Sequence, residues 1–498
     1  MGEVADGSCV EELDIHNQTI SKSAQQDHQQ VVTINESTTE TQCTRSYSTA
    51  SLGINDEVVL NPQPQDAWLP ITESRNGNVC SSVFHLISSG IGFQALSLPI
   101  ALATLGWTWG IISLSLAYTW QLYTIWLLVQ LAESVPGTRY SRYLHLSIAA
   151  FGPKLGKLLA LFPVMYLSGG SCVMLIITAG GYMETFYKIL SGDEAMSFSG
   201  ILCFLVFTYI AITIAQSPNL NSITKVSMLG AITGIASSTL IWALPISKGK
   251  PSGVSYQPRE MGESGMVKFG GIFNAIGIIV LAFRGHNLVL EIQGTLPSNQ
   301  NHKSSKPMWR GVIISYLIIA MCLFPLAIAG FWAYGNQIQT NGGMLQAYLQ
   351  VHGDNTSKYV MGLIYLLVLI NCLTTFNIYA IPVFDNLEMR YTLVKKKRCP
   401  DWVRVGFRLF FGGLAFFLAV AFPFLKSLSA LIGGIAFPLT YVYPCFMYIF
   451  IKKTRPNGAI WWINLGLGCL GTILSVLLVV AALWNLATKG LNANFFRP

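Results

Sequence analysis

The chain is 498 residues long, 52% apolar and only 11% charged, with a mean hydropathy of +0.50. Soluble domains carry about 25% charged residues, so this composition excludes an ordinary soluble protein. The net charge of +8 is split, because residues 1–76 hold 12 acids against 3 Lys/Arg, a balance of −9, and the remainder carries +17.

Residues 1–76 are rich in Gln, Ser, Thr and Asn and poor in aromatics, which predicts a disordered acidic tail. The tail has no apolar core suited to a cleavable signal peptide, so the first membrane helix is expected to do the targeting. Beyond it, apolar runs of about 20 residues have the length that spanning helices need, and no alternating polarity suggests a β-barrel. The expected fold is an all-α polytopic membrane protein with eleven spans, at about 79–104, 108–131, 157–187, 198–216, 224–246, 267–292, 309–334, 358–384, 403–423, 427–451 and 460–486. The membrane domain is expected over 77–490, with a short extracellular C-terminus at 491–498.

With the tail in the cytoplasm, inner loops and helix ends hold 18 Lys/Arg and outer ones nine. That bias supports a cytoplasmic N-terminus. The sequon Asn355-Thr356-Ser357 then falls in an outer loop, which makes Asn355 the candidate glycosylation site. Sequons at Asn17 and Asn35 would be silent in a cytoplasmic tail. Tryptophans such as Trp107, Trp309, Trp402 and Trp462 cluster at predicted helix ends, where their rings anchor at headgroup level. Between the second and third spans, Tyr143, Leu144 and Ile148 can share one face of a short interfacial helix. No Cys/His spacing among the ten cysteines fits a zinc site, and no extracellular disulfide is implied.

Two spans carry polar breaks. The first holds Ser88, Ser89, Gly90, Gly92, Phe93 and Gln94 before Pro99. The sixth holds Phe283, Arg284, Gly285, His286, Asn287 and Glu291. Ionisable groups at membrane depth cost roughly 2.5–3.5 kcal/mol each on insertion scales. The sixth-span cluster is either a helix end at the interface or a broken helix that binds a ligand. The matching break four spans earlier favours the second reading, since interrupted helices one and six are what a five-plus-five inverted repeat predicts. Half-helix N-termini favour a carboxylate, and exposed carbonyls favour an ammonium. An α-amino acid offers both. Close helix packing also explains glycines in membranes, and it is preferred for Gly169-Gly170, Gly180-Gly181 and Gly433-Gly434.

Trp68-Leu69-Pro70-Ile71-Thr72, Ser74-Arg75-Asn76, Phe84-His85, Leu98-Pro99, Leu105-Gly106-Trp107 and the run from Gly285 to Gln293 together resemble plant amino acid/auxin permeases, in particular their lysine/histidine transporter-like branch. The resemblance covers roughly residues 66–490. It implies a LeuT-like fold and proton-coupled import of amino acids across the plasma membrane, driven by the proton gradient with no cofactor. It also implies that the unwound parts of spans one and six meet the substrate. One departure matters: the family's Gly-x-Gly-Val-Leu-Gly-Leu-Pro reads Gly92-Phe93-Gln94-Ala95-Leu96-Ser97-Leu98-Pro99 here. Gln94 and Arg284 add volume or charge beside the expected carboxylate site and turn expectation toward smaller or acidic substrates.

His286 is a candidate for proton coupling, because its ordinary pKa of about 6.5 lies near working pH; the alternative is a structural histidine on a backbone carbonyl. Glu291 is the second candidate, able to take a proton, pair with Arg284 or close a gate, or simply to sit at the interface. Arg284 either holds a carboxylate or balances Glu184 or another acid. Ser168 and Ser171 on span three, and Asn371, Thr374, Thr375 and Asn377 on span eight, are further cavity candidates; interhelical hydrogen bonds explain them as well. Enzyme and ATPase readings fail on detail. The run Gly152-Pro153-Lys154-Leu155-Gly156-Lys157-Leu158 has its glycines one residue too close for a phosphate loop, and it lacks the Ser/Thr. Gly466-Leu467-Gly468-Cys469-Leu470-Gly471 matches a dinucleotide fingerprint only as a string within a spanning helix. No nucleic-acid partner is expected, and the sequence does not specify an oligomeric state. A sensor that binds amino acid and signals through the acidic tail, and an auxin-type carboxylate carrier, are the alternative functions.

Overall fold

The structure, a computed structural model, describes residues 68–191, 199–217, 219–259, 265–283, 285–299, 302–338, 343–424, 429–456, 458–489 and 496. The tail over 1–67, most of the C-terminal segment and the side chain of Arg284 lie outside the described residues. Among the described residues every regular element is a helix.

The first half begins with α1 (Val79–Gly90), whose capping box is written in the sequence as Asn78-Val79-Cys80-Ser81. The Ser81 N–H donates to Asn78 Oδ1 at 2.8 Å, and the Asn78 N–H donates to Ser81 Oγ at 2.9 Å. These bonds use two of the donors that a helix start leaves unpaired. A 3-10 turn (Phe93–Ser97) leads into α2 (Leu98–Leu131), with Pro99 in the first turn, where its missing N–H costs nothing. Then come α3 (Tyr143–Phe151), α4 (Pro153–Ser191), α5 (Gly200–Ile214) and α6 (Thr224–Lys248). The second half repeats the order. A broken helix, α7 (Gly265–Ala282) and α8 (His286–Gly294), is followed by α9 (Ser305–Tyr334), the short α10 (Gly343–His352), the long α11 (Lys358–Lys395) and α12 (Asp401–Ala421). Helices α13 (Ser429–Phe437) and α14 (Tyr443–Lys452) flank a π turn (Pro438–Val442), and α15 (Ala459–Lys489) follows. Each half thus places a broken helix first and a short helix before its longest one. A short helix stands where one is expected at 143–148: it is α3, with Tyr143 and Leu144 buried and the Tyr143 hydroxyl bonded to the Leu439 carbonyl at 2.8 Å.

Nine helices among the described residues are long and apolar enough to cross a membrane. The expected eleven differ from this count in two places. Val79–Leu131 runs for 53 residues as one span by length and composition. Inside it Gly106 adopts φ 75°, a region that favours glycine, and a Cβ on Gly110 would lie 3.3 Å from Leu102 Cα. Eight helical residues span about 12 Å, so the chain folds back at Gly106. Helix α5 has 15 residues, too few for the criterion. The eighth helix also outruns its expected end at 384 and reaches Lys395. Pro382 does not stop it, because packed neighbours re-satisfy backbone groups freed by a membrane proline.

Helix α11 is the spine of the bundle and packs on α4 and α6. At one end of the bundle, residues 68–78 are pinned to it. Arg142 meets Asp385 through Nε at 2.5 Å and Nη2 at 3.1 Å, with both side chains buried. The Ile71 N–H donates to Asp385 at 3.2 Å, and Arg142 reaches Thr72 Oγ1 at 3.1 Å. Arg404 bridges Glu388 at 2.9 Å and Glu73 at 3.3 Å, and donates to the Trp68 carbonyl at 2.8 Å. Arg139, close to Glu133 at 3.4 Å, donates to the carbonyls of Gln293, in the last turn of α8, and Leu296, just past it. Burial and the neighbouring Arg75 pull the Arg139 guanidinium down to about 10, which leaves it charged at neutral pH.

Removing one partner of a buried pair leaves the other charge uncompensated. Asp385→Asn is therefore expected to destabilise the protein by about 3–5 kcal/mol, read as a lower unfolding midpoint of the detergent-solubilised chain. The apolar double variant R142M/D385L should recover most of that loss. A single variant as stable as the parent would show that the pair does not hold this end shut.

Candidate functional site

The two breaks face each other. Gly285 adopts φ 120°, open in practice only to glycine, and a Cβ there would lie 3.8 Å from both Ser89 Oγ and Tyr316 OH. The end of α1 is held by side chains from α11. Thr375 donates to the Ser88 carbonyl at 2.9 Å, Tyr379 to the Ser89 carbonyl at 3.3 Å, and Ser88 Oγ to Thr374 Oγ1 at 3.4 Å. The fit is tight, since a Cβ on Gly230 of α6 would come within 2.3 Å of both Thr374 Oγ1 and Ser88 Oγ. Carbonyls that leave an interrupted helix need such donors wherever water is excluded.

Across the gap, His286 and Asn287 open α8, where N–H groups without intrahelical partners point toward the break. His286 Nε2 pairs with Thr124 Oγ1 of α2 at 2.8 Å, and the ring lies 6.2 Å from that of Tyr441. Asn287 Nδ2 donates to Ser168 Oγ of α4 at 2.8 Å. Among the described residues, His286 Nδ1 and Asn287 Oδ1 are buried without a hydrogen-bond partner. So are both polar atoms of Gln94, which is 5% exposed. A buried amide without partners costs roughly 1–3 kcal/mol on mutational scales, so these are groups prepared for a ligand or for water. Beside Phe283 lies a small cavity lined by Leu167, Val280, Leu281, Gly433, Ala436 and Thr440.

Not every sequence candidate points into this gap. Gly90 packs on α9, where a Cβ would meet Ile319 Cδ1 at 2.6 Å. Asn371 donates to the Gly230 carbonyl of α6 at 3.1 Å, and Thr374, which donates within α11 to the Asn371 carbonyl at 2.9 Å, accepts from Ser88 of α1, so both join α11 to its neighbours. Gly92 and Phe93 begin the 3-10 turn, and Ser171 is buried on α4. Glu184 is paired with Lys188 at 2.6 Å, so it has a cation other than Arg284. Glu291 lies deeper in α8, 3% exposed. Its carboxyl faces the Tyr143 backbone N–H, with Asp385 and Arg142 in electrostatic range, and Oε2 has no partner among the described residues.

Four residues near the breaks, Gln121, Tyr118, Tyr316 and His85, were not singled out as site candidates from the sequence, the last having been named only in a family motif. Gln121 Nε2 donates to Tyr316 OH at 3.0 Å, and Tyr118 OH to the Tyr316 carbonyl at 3.0 Å. His85 is fully buried, with Nδ1 2.7 Å from Ser227 Oγ. Isolated polar residues in apolar helices gave no local signal for the first two. The π turn beside His286 had one, the prolines Pro438 and Pro444 bracketing Thr440-Tyr441, and such turns recur at functional sites.

Residues 75–488 match the family described as transmembrane amino acid transporter protein. Lysine histidine transporter-like 8 of Arabidopsis thaliana is 49% identical over 437 residues, covering 87% of this chain and 84% of the relative. Lysine histidine transporter-like 7 of the same plant is 50% identical over 436 residues, covering 87% and 90%. Among solved structures, MhsT in complex with L-phenylalanine superposes with a TM-score of 0.56 at 12% identity, covering 82% of this chain and 99% of that one. Mhp1, a nucleobase-cation-symport-1 family transporter, gives 0.55 at 13%, covering 87% and 97%. These two likenesses establish the LeuT-like architecture that the broken helices announce. The chain belongs to the transmembrane amino acid transporter family, in its lysine/histidine transporter-like branch.

Proposed function

We propose that this protein is a proton-coupled symporter that imports amino acids across the plasma membrane, with its N-terminus in the cytoplasm. The observation that carries the reading is the pair of facing breaks, with the unpaired N–H groups of α8 opposite the carbonyl end of α1. Such a gap offers an anion site and a cation site, the two charges that an α-amino acid carries. Ser88, Ser89, Gln94, Phe283, Gly285, His286 and Asn287 are assigned to line it, with Gln94 supplying an unpaired donor and acceptor. Arg284 belongs to this stretch by sequence. The likeness to a structure described in complex with L-phenylalanine supports an amino acid in this position.

Glu291 is assigned the proton. It is a buried carboxyl with an unpartnered oxygen, and Arg142, a cation in electrostatic range, is already engaged by Asp385 through two bonds. His286, tied to Thr124, is assigned to hold the substrate end of α8. One proton crossing 100 mV supplies about 2.3 kcal/mol, enough to concentrate a solute nearly fifty-fold. The sequon supports the orientation, since Asn355 is exposed in the turn between α10 and α11, with its carbonyl held by Lys248 at 2.8 Å.

Uptake of labelled amino acids in transport-deficient cells is expected to be faster at external pH 5 than at pH 8 and to collapse with a protonophore. Rates indifferent to both would end the proton reading. Among variants, Glu291→Gln should flatten the pH profile, because it keeps the shape and removes the proton. His286→Gln should keep the slope and raise KM about ten-fold, the cost of one hydrogen bond to a charged group. The reverse pattern would move the proton to the histidine.

A further inference from the structure

The turn between α11 and α12 carries Lys395, Lys396, Lys397 and Arg398 in succession, all exposed. Lys396 reverses the chain at φ 51°, with its N–H bonded to the Thr392 carbonyl at 2.8 Å. A non-glycine residue in that region is uncommon, and here it projects three ammonium groups beyond the helix end. The flanks are apolar and uncovered: Leu393 is 53% exposed, Val394 72% and Trp402 77%. Consecutive cations immediately beyond a spanning helix, with an aromatic and aliphatic flank at headgroup depth, fit the surface of an anionic leaflet. The acids facing this turn are Asp401, at the start of α12, and Glu73.

Glu73 joins the turn to the end of the bundle where residues 68–78 are pinned. Arg398, with its side chain 58% exposed, pairs with Glu73, which also holds Arg404 at 3.3 Å; Arg404 in turn holds Glu388 and the Trp68 carbonyl. A phosphate group beside Lys395 to Lys397 would compete with Glu73 for Arg398, since arginine forks bind carboxylate and phosphate alike.

We propose that the turn at 395–398 binds the phosphate-bearing headgroup of an anionic lipid, and that binding draws Arg398 away from Glu73 and loosens the seal formed by residues 68–78. The inference rests on the transporter reading for its orientation, because the anionic leaflet is the cytoplasmic one. Lipid binding itself is measured without transport, so either reading can fail alone.

The full chain in neutral detergent would be titrated by thermophoresis with dioctanoyl phosphatidylinositol bisphosphate, with dioctanoyl phosphatidylcholine as the neutral control and inositol trisphosphate as the headgroup without chains. Saturable binding of the anionic lipid alone is expected. The triple variant K395Q/K396Q/K397Q should bind roughly 100-fold more weakly, from about five-fold per lost cation, while K395R/K396R/K397R should bind like the parent. Unchanged binding by the glutamine variant would overturn the site. Inositol trisphosphate binding as tightly as the lipid would replace the lipid with a soluble phosphate ligand.

Cys399, next to Arg398, reports the second half of the proposal. It is 2% exposed beneath Glu388, Arg404 and Arg408, and burial pushes its thiol up to about 11, so it alkylates slowly while the seal is intact. Peptide mass spectrometry after maleimide treatment should show Cys399 labelled several-fold faster with the anionic lipid bound. Glu73→Gln should give the faster rate without lipid, and lipid should add little to it. Bound lipid with no change at Cys399 would sever the site from the seal.

Discussion

Backbone groups released inside an apolar bundle must find partners, and this constraint shapes the rest of the structure. The chain gives up helical hydrogen bonds twice, around residues 91–92 and between the end of α7 at Ala282 and the start of α8 at His286. At the first break the Ser88 and Ser89 carbonyls are taken by Thr375 and Tyr379, hydroxyl-bearing residues one turn apart on α11. Approach that close needs small residues on the third helix at the junction. Gly230 and Gly234 of α6 supply them, and a Cβ on either would run into a polar atom of α11. The glycines of α6 are therefore the condition on which α1 can stop halfway through the bundle.

The breaks were legible in the sequence because they violate the local rule for a spanning segment. Serines, glycines, a glutamine and a proline interrupt the first span, and ionisable residues interrupt the sixth. The eleven-span expectation was harder to reconcile, since Gly106 carries a sharp turn with few polar neighbours and α5 is only 15 residues long. The sequence was also silent about pairing. Nothing near Thr124 distinguishes it from the other hydroxyls of α2, yet it bonds His286, 162 residues away. Asn371 and Thr374 looked like cavity residues because polar groups on span eight have no local explanation. Their partners on α6 and α1 supply the explanation, and only tertiary contact reveals it.

The segment 68–78 shows a different limit. By composition it continues an acidic, polar tail, and Glu73 and Ser74 look solvated. Its order comes from cations far along the chain: Arg142 reaches Thr72, while Arg398 and Arg404 reach Glu73. Electrostatic partners hundreds of residues apart leave no periodic trace, whereas the apolar stripe of a helix does.

One helix therefore holds both ends of α1. Thr375 of α11 grips the Ser88 carbonyl where α1 stops, and Asp385 grips the Ile71 N–H ahead of where it starts. Ten helical residues separate these contacts by about 15 Å, close to the length of α1 itself. A transporter of this architecture must let its site open to that end, and α1 cannot swing away while Asp385 is engaged. The Arg142–Asp385 pair suits that role because its strength depends on dryness. With water excluded, separating the charges is expensive; once water enters, hydration repays the loss, and a buried pair is worth little net over separated, solvated ions. The seal is thus firm when closed and inexpensive once breached, which favours two discrete states over a gradual loosening. Glu291, with its free carboxyl oxygen in electrostatic range of the same pair, lies where its proton would alter that balance. On the proposed assignment of the proton to Glu291, a negative charge there competes with Asp385 for Arg142 and a neutral carboxyl does not, which would link protonation to closure at this end through one guanidinium.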